Sequence, residues 1–418
     1  MRKIIFIFIF IFLFVSIVQA DTIQVLHGGV QAISTTGVYM HILGSASNSG
    51  TETIRQIFTS PGGIITNLRA LVSVDPDNGA GTQSVSIGLR VNEATLSPNV
   101  SCTITEGTTS CTSSNVVSVT ASQRIDVVQT SANTPAASNV EYSFEFIATA
   151  DNATWIGSSS SGTNLSQSET QYFGLINGNA FKTVENLASF PIPTSGTLSN
   201  LTVRILSAPA NGAGTQSYTM TVYKNGSSTG ITCVSSESTS NCADAVNTTS
   251  VTAGDVISIE TVPANTPAAT CKLRVGLTFT PNIEGEFAMF SCGGSTDAVN
   301  TTYRGIYQGN NIESTTESAV NQLSNAMVVK GLYAKVTAAP GVGASWTNTV
   351  RDDATATTLT CVISGDTATT CNFTDTGNYV AVNSQMSVES IPAGSPAAST
   401  NSYGILGFIT PPRRILIN

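Results

Sequence analysis

The stretch LTVRILSAPANGAGTQSYTMTV, residues 201–222, decides the fold. Leu201, Val203 and Ile205 alternate with Thr202, Arg204 and Leu206, and beyond a glycine-rich turn Tyr218, Met220 and Val222 alternate with Thr219, Thr221 and Tyr223. A period of two puts successive side chains on opposite faces, so each half reads as a strand with one buried face. Working outward, the turn NGAGTQS (211–217) recurs letter for letter at 78–84 and is answered by PGVGASW at 340–346. A close cysteine pair follows each turn, Cys102 with Cys111, Cys233 with Cys242 and Cys361 with Cys371, at steps of 131 and 128 residues. A proline turn follows each pair: NTPAAS at 133–138, NTPAAT at 265–270 and GSPAAS at 394–399. A period near 130 residues is too long for a solenoid unit and matches a complete domain. The chain therefore reads as three tandem copies, 21–150, 151–283 and 284–412, with a short tail at 413–418.

Within the middle copy, Val256, Ile257 and Ile259 mark a further strand, and Leu273, Val275, Leu277 and Phe279 a closing one, matched by Val140 to Phe146 and Tyr403 to Phe408 in the other copies. Helical periodicity is scarce. Counting turns gives about eight strands per copy, which predicts an all-β chain of three tandem antiparallel β-sandwich domains. The ending of the middle copy, VTAGDVISIETVPANTPAATCKLRVGLTF (251–279), resembles that of jelly-roll domains of the C1q and tumour-necrosis-factor type. There a Gly-Asp turn, here Gly254-Asp255, opens the penultimate strand, and a strand containing Phe closes the domain. The resemblance implies jelly-roll connectivity and a likeness to the jelly-roll repeats of bacterial surface appendages and phage tail fibres.

Arg2 and Lys3 precede an apolar run from Ile4 to Val18 and a small-residue site at Ala20, the order of a secretory signal peptide over residues 1–20. The run is shorter than the roughly 20 residues that span a bilayer. Asp21 after the cut closes the lipoprotein route, and no later stretch is long enough to cross a membrane. Secretion places the eight cysteines in an oxidising compartment, where an even count at repeated spacings reads as a disulfide framework. Charged residues are only 10% of the chain, against about 25% in ordinary globular proteins, so the surface is built of hydroxyl and amide groups. Loss of Arg2 and Lys3 leaves 15 basic against 26 acidic side chains, a net charge of −11. Nucleic acid is disfavoured as a partner, since phosphate binding needs clustered Lys and Arg.

Few constellations carry chemistry. The two histidines, His27 and His41, both fall in the first copy, outside any metal-binding or nucleophile motif, and read as incidental strand residues. Asp75-Pro76-Asp77-Asn78-Gly79 begins like a calcium loop, but its glycine is fifth rather than sixth and Ser86 stands where the bidentate Glu belongs, so an ordinary turn is expected. Trp155 and Trp346 are the candidate sugar platforms, although the alternation around Trp346 reads as core. Asn164, Asn200, Asn247 and Asn300 head Asn-x-Ser/Thr triplets. No pair of acids is read at matching positions in two copies, and no nucleophile has an evident base. No metal, no cofactor and no enzymatic activity is expected.

Two function classes remain. One is a structural or adhesive protein at a cell or particle surface, a rod of sandwiches; the other is a carbohydrate-binding module array. Self-association and surface glycans are the partners considered. Each repeated cysteine pair is expected to close across one hairpin, its members directly opposite on paired strands. Cys271 and Cys292, left over after that assignment, flank one junction and are expected to bridge the second and third copies and stiffen the rod. A single copy, 151–283, is expected to fold alone.

Overall fold

A computed structural model describes residues 22–410 apart from 45–48, 53–54, 80, 94–99, 161, 177–180, 213, 296, 308 and 310–312, together with 17–18 and 414–415. The described residues form strands, turns and short 3₁₀ segments such as Glu185–Leu187 and Glu317–Ala319, with no α-helix. No described helix is long and apolar enough to cross a membrane. The predicted signal peptide lies outside the described residues except for β1 (Ile17–Val18), which pairs with β31 (Arg414–Ile415).

The first copy contains β2 (Ile23–Ala32), β3 (Val38–Met40), β4 (Ile57–Phe58), β5 (Gly63–Val72), β6 (Ser84–Val91), β7 (Ser101–Thr105), β8 (Ser110–Ser113), β9 (Val117–Val119), β10 (Arg124–Ala132) and β11 (Asn139–Ala148). The second contains β12 (Thr154–Ser159), β13 (Gln171–Phe173), β14 (Phe190–Pro191), β15 (Gly196–Ile205), β16 (Ser217–Lys224), β17 (Ser227–Ser236), β18 (Asn241–Asp244), β19 (Thr249–Val251), β20 (Val256–Ala264) and β21 (Leu273–Pro281). The third contains β22 (Glu286–Ser295), β23 (Thr302–Gly305), β24 (Gln322–Leu323), β25 (Met327–Val336), β26 (Gly341–Asp352), β27 (Thr355–Gly365), β28 (Thr370–Val380), β29 (Gln385–Ala393) and β30 (Thr400–Phe408).

Each copy is a two-sheet antiparallel sandwich. In the first, one sheet runs β2-β11-β5-β8 with β9 also on β5, and the other runs β3-β10-β6-β7 with β4 also on β10. The second copy repeats this as β12-β21-β15-β18 and β13-β20-β16-β17, and the third as β22-β30-β25-β28 and β23-β29-β26-β27. The first and last strands of each copy are neighbours, so successive strands wind back and forth between the sheets in jelly-roll fashion. The alternating residues fill the interior: Leu201, Val203, Ile205, Tyr218, Met220 and Val222 are all buried.

The repeated cysteines form disulfides Cys102–Cys111, Cys233–Cys242 and Cys361–Cys371, with Cα separations of 5.7, 5.6 and 5.7 Å. Their placement corrects the hairpin expectation. Cys102 on β7 faces Ile87 of one sheet, whereas Cys111 on β8 faces Ala70 of the other. Cys233 with Met220 and Cys242 with Val203, then Cys361 with Asn348 and Cys371 with Ala334, repeat the division. The chain changes sheet at each of these turns, so every disulfide clamps the edge strands of two opposed sheets. The short spacing that suggested a ladder pair is equally the spacing of a tight crossover.

The rod is overturned as well, because the third module packs on the first. The short strand β4 lies against β12, β15 and β21 of the second module, β14 against β25 and β30 of the third, and β24 against β2, β5 and β11 of the first. Three equivalent contacts thus close a ring about a pseudo-threefold axis, where β2, β12 and β22 touch one another. At the axis Gln24 Nε2 donates to the Trp155 carbonyl at 2.7 Å and to the Tyr307 hydroxyl at 3.3 Å, while Trp155 N–H donates back to Gln24 Oε1. The buried apolar residues of all three sandwiches form one continuous core. That continuity leaves the expectation of self-sufficient single copies without support, since isolating one would expose Trp155, Ile192 and Phe190, which are buried here.

The Cys271–Cys292 bridge is also corrected: both are free, buried thiols. Cys271 precedes the start of β21, whose nine residues carry the chain roughly 30 Å before the junction is reached. Its sulfur lies 3.4 Å from the Ser207 carbonyl. Cys292 sits inside β22, opposite Ser402 of the third module. They flank the junction in sequence, but each is packed within its own module, Cys271 against the Ser207 carbonyl and Cys292 on β22 opposite Ser402.

Candidate functional site

The three sequence motifs of each copy meet at one end of its sandwich. In the first module the Ala136 N–H of the proline turn donates to the Pro76 carbonyl of the glycine turn at 2.9 Å. Ala268 to Pro209 and Ala397 to Pro340 repeat this bond at 2.8 Å each. The tip of the cysteine turn joins them: Glu106 N–H donates to Gln83 O at 3.1 Å, and Glu237 N–H to Gln216 O at 2.8 Å. Asn78 and Asn211 amides cross to the Thr134 and Thr266 carbonyls. In the first module a groove of about 650 Å³ remains, lined by Thr82, Gln83, Thr105, Glu106 and Asn133 among others. Because β11 starts at this end and finishes ten residues later beside the junction, the loops and the junctions lie at opposite ends, roughly 30 Å apart. The junctions gather at the axis, with Thr22 Oγ1 bonded to the Asn152 side chain and to the Gly285 N–H. The three loop clusters therefore share one side of the ring and form a crown facing away from that base.

The residues singled out in the sequence are mostly structural. Asp75 accepts the Asp77 N–H at 3.0 Å, and both its oxygens accept the Gly107 N–H at 3.1 Å, so its carboxylate pins the cysteine turn to the glycine turn. Trp155 and Trp346 are fully buried and present no stacking face; Trp155 Nε1 donates to the Phe58 carbonyl across the first interface at 2.7 Å. His27 and His41 occupy module interfaces, which alternation within one copy did not reveal. His27 Nδ1 donates to the Leu323 carbonyl of the third module at 3.0 Å, and burial holds its pKa down at about 4. His41 stacks its burial with the charges of Arg55 and Arg274 and is likewise held neutral. Asn164, Asn247 and Asn300 are exposed, while Asn200 is half-buried in the β15 bulge. The six paired cysteines brace the crown; Cys271 lies beneath it, directly after the proline turn with its sulfur 3.4 Å from the Ser207 carbonyl, and Cys292 sits on β22 of the third module.

A second feature escaped the sequence reading, for matching acids do recur. Strand register equates Glu260 with Glu389, opposite Tyr172 and Tyr303, and equates Arg90, Tyr223 and Arg351, opposite Asp126, Ser258 and Ser387. Glu52, Glu185 and Glu317 each stand five residues before β4, β14 or β24, a constant offset that could have signalled them. In the third module Arg351 spans both acids, 3.0 Å from Glu317 and 3.2 Å from Glu389, with its guanidinium 5.5 Å from the Tyr303 ring. In the first, Arg90 pairs with Glu52 at 2.9 Å and lies 5.0 Å from the Tyr39 ring. Burial and the Glu52 charge push the neighbouring Asp126 carboxyl up to about 8, against the pull of Arg90.

Compared with known proteins, the chain matches no family model and no curated protein.

Proposed function

We propose that this chain is a secreted, non-enzymatic adhesive or structural protein of a cell or particle surface, in which a disulfide-braced ring of three β-sandwiches holds a crown of polar loops away from its base. The observation that carries this reading is the polarity of the ring. Every junction lies at one end and every repeated loop cluster at the other, and each disulfide ties together the two sheet edges beneath a loop tip. Duplication kept the buried scaffold, including the disulfides and the Ala-to-carbonyl turn bonds, while the crown tips diverged to Glu106-Gly107, Glu237-Ser238 and Asp366. Such a surface suits contact with a partner better than chemistry at a point. The winding of the strands supports the jelly-roll resemblance and, with it, the likeness to surface-appendage and tail-fibre repeats.

The test is adhesion of the mature chain to cells, particles and a glycan array, alongside a variant whose three crown tips are replaced by Gly-Ser. Saturable attachment by the wild type, lost in the variant at unchanged melting temperature, is expected. Attachment that persists in the variant would remove the crown from the function. Competable binding on the glycan array would select the carbohydrate-binding reading, although the burial of both tryptophans weighs against stacked sugar platforms.

A further inference from the structure

The first interface gathers arginines that the ring leaves without partners. Arg204 on β15 and Arg274 on β21 stand directly opposite one another on the same face of the sheet, and Arg124 of the first module is close enough to repel both. Like charges in opposed positions work against strand pairing. Among the described residues neither Arg204 nor Arg274 forms an ion pair. Arg204 Nε is buried and has no hydrogen-bond partner. Arg274 is fully buried and donates through Nε to the Gln56 carbonyl at 3.0 Å, while its two terminal nitrogens meet no acceptor among the described residues. The acids near enough to steady Arg274 are Asp126 and Glu93. Glu93 is already bonded to Arg124, and burial with the Glu52 charge pushes Asp126 up to about 8, which keeps it protonated at neutral pH. Burial, Arg204 and Arg124 together pull Arg274 down to about 10. The ring itself does not require this pair. At the equivalent positions the second interface has Lys335 and Ser402, bonded to the Asn186 and Ser189 carbonyls at 2.6 and 3.0 Å, and the third has Leu71 and Glu141.

A groove of about 300 Å³ opens beside them, walled by Phe58 and Ser122 of the first module and by Thr202, Asn241 and Ala243 of the second. Each wall leads to an arginine. Arg124 lies two residues beyond Ser122 and pairs with Phe58; Arg204 lies two beyond Thr202, on the same face of β15, and pairs with Asn241. The Ser122 and Thr202 hydroxyls and the Asn241 amide make no hydrogen bond among the described residues, so they add neutral donors. Guanidinium forks backed by hydroxyl and amide donors match the geometry and charge of a tetrahedral oxyanion. We infer that this groove binds a sulfate or phosphate group, free or as the ester of a sugar, between Arg124, Arg204 and Arg274. An anion there supplies the acceptors that the buried guanidinium N–H groups lack and offsets the repulsion between Arg204 and Arg274. No residue of the crown tips lines the groove, so this site can hold or fail separately from the adhesive reading.

The full mature chain is titrated at low ionic strength with sodium sulfate, sodium phosphate and glucose 6-sulfate, using isothermal titration calorimetry and thermal shift, with sodium chloride at matched ionic strength and plain glucose as comparisons. The expected result is one saturable site for the oxyanions and none for chloride or glucose. Tighter binding of free sulfate or phosphate would mark a site for the bare ion, and tighter binding of glucose 6-sulfate a site for a sugar ester; either supports the inference. Binding should fall at least tenfold in Arg204→Gln. Without anion that variant should melt at or above the wild-type temperature, because a repulsion has been removed. Asn241→Asp, an exposed change on β18 that sets a carboxylate in the groove, should weaken binding at least tenfold as well. Equal oxyanion binding by wild type and either variant would overturn the inference, as would no binding of any oxyanion to the wild type. Should Arg204→Gln fail to fold, the comparison of wild type with Asn241→Asp decides alone.

Discussion

Substituting Gly404 by alanine tests the closed ring most directly. Gly404 lies on β30, where the short strand β14 of the second module crosses it, and a Cβ placed there would stand 2.1 Å from the Pro191 carbonyl oxygen and 3.1 Å from its carbon. Ordinary van der Waals contact begins at 3.4 Å, so more than 1 Å of separation must be found between two backbones, and neither can turn away as a side chain could. Gly276, the equivalent residue at the first interface, faces Phe58 O at 2.5 Å in the same way. At the third interface Ser143 occupies the position, and its hydroxyl meets Asn325 Oδ1 at 3.3 Å, so a side chain fits where the crossing strand stands further off. Overpacking of this kind costs about 1–3 kcal/mol. Gly404→Ala is expected to lower the urea midpoint accordingly and to make the junction at 282–285 sensitive to limited proteolysis. The matched control is Gly50→Ala, whose added methyl would meet nothing within 4 Å and should change stability by less than about 0.5 kcal/mol. Wild-type stability and protease resistance in Gly404→Ala would refute the packing of the second module on the third.

Replacing Cys102 and Cys111 together by serine should cost about 2–3 kcal/mol by the loop-closure argument, read from chemical unfolding of the oxidised protein, with the same expected for the other two pairs. Alkylation under denaturing, non-reducing conditions should label two thiols, Cys271 and Cys292, and native alkylation neither, since both are buried and burial pushes both pKa values up to about 11. An isolated middle module, 151–283, should self-associate through the faces the ring covers; a concentration-independent monomer in light scattering would show those faces to be dispensable. Burial at the third interface raises the Glu141 carboxyl from its ordinary 4.5 to about 7, opposed by hydrogen bonds from Gln385 and the Leu323 backbone. The folded state then binds the proton more tightly than the unfolded chain, so this contribution is complete below about pH 4.5 and is lost as pH rises to about 7. Glu141→Gln should flatten that part of the stability profile, and an unchanged slope would remove Glu141 as its source.

Much of the module was legible because strand burial and turn chemistry are local. The alternation in 201–222 needs only the pleat to be read, and the glycine, cysteine and proline motifs needed only to be counted to yield three sandwiches and three disulfides. The recurrent acids were hidden because Glu185 lies on the 3₁₀ segment before β14 and Glu260 on β20, brought together by the pairing of β14 with β20 rather than by proximity in the chain. By itself, then, the amino-acid order determined the repeat, the strand class and the partners of the six repeated cysteines, all of which rest on short-range periodicity and spacing. Tertiary structure alone decided that Cys102 and Cys111 clamp opposed sheets, that Cys271 and Cys292 stay unbridged, and that three modules close on themselves. Each of those outcomes turns on which apolar faces find one another: Gly276 and Gly404 let backbones approach, and Trp155 and Tyr307 fill the axis, contacts whose partners lie a whole module away in the chain.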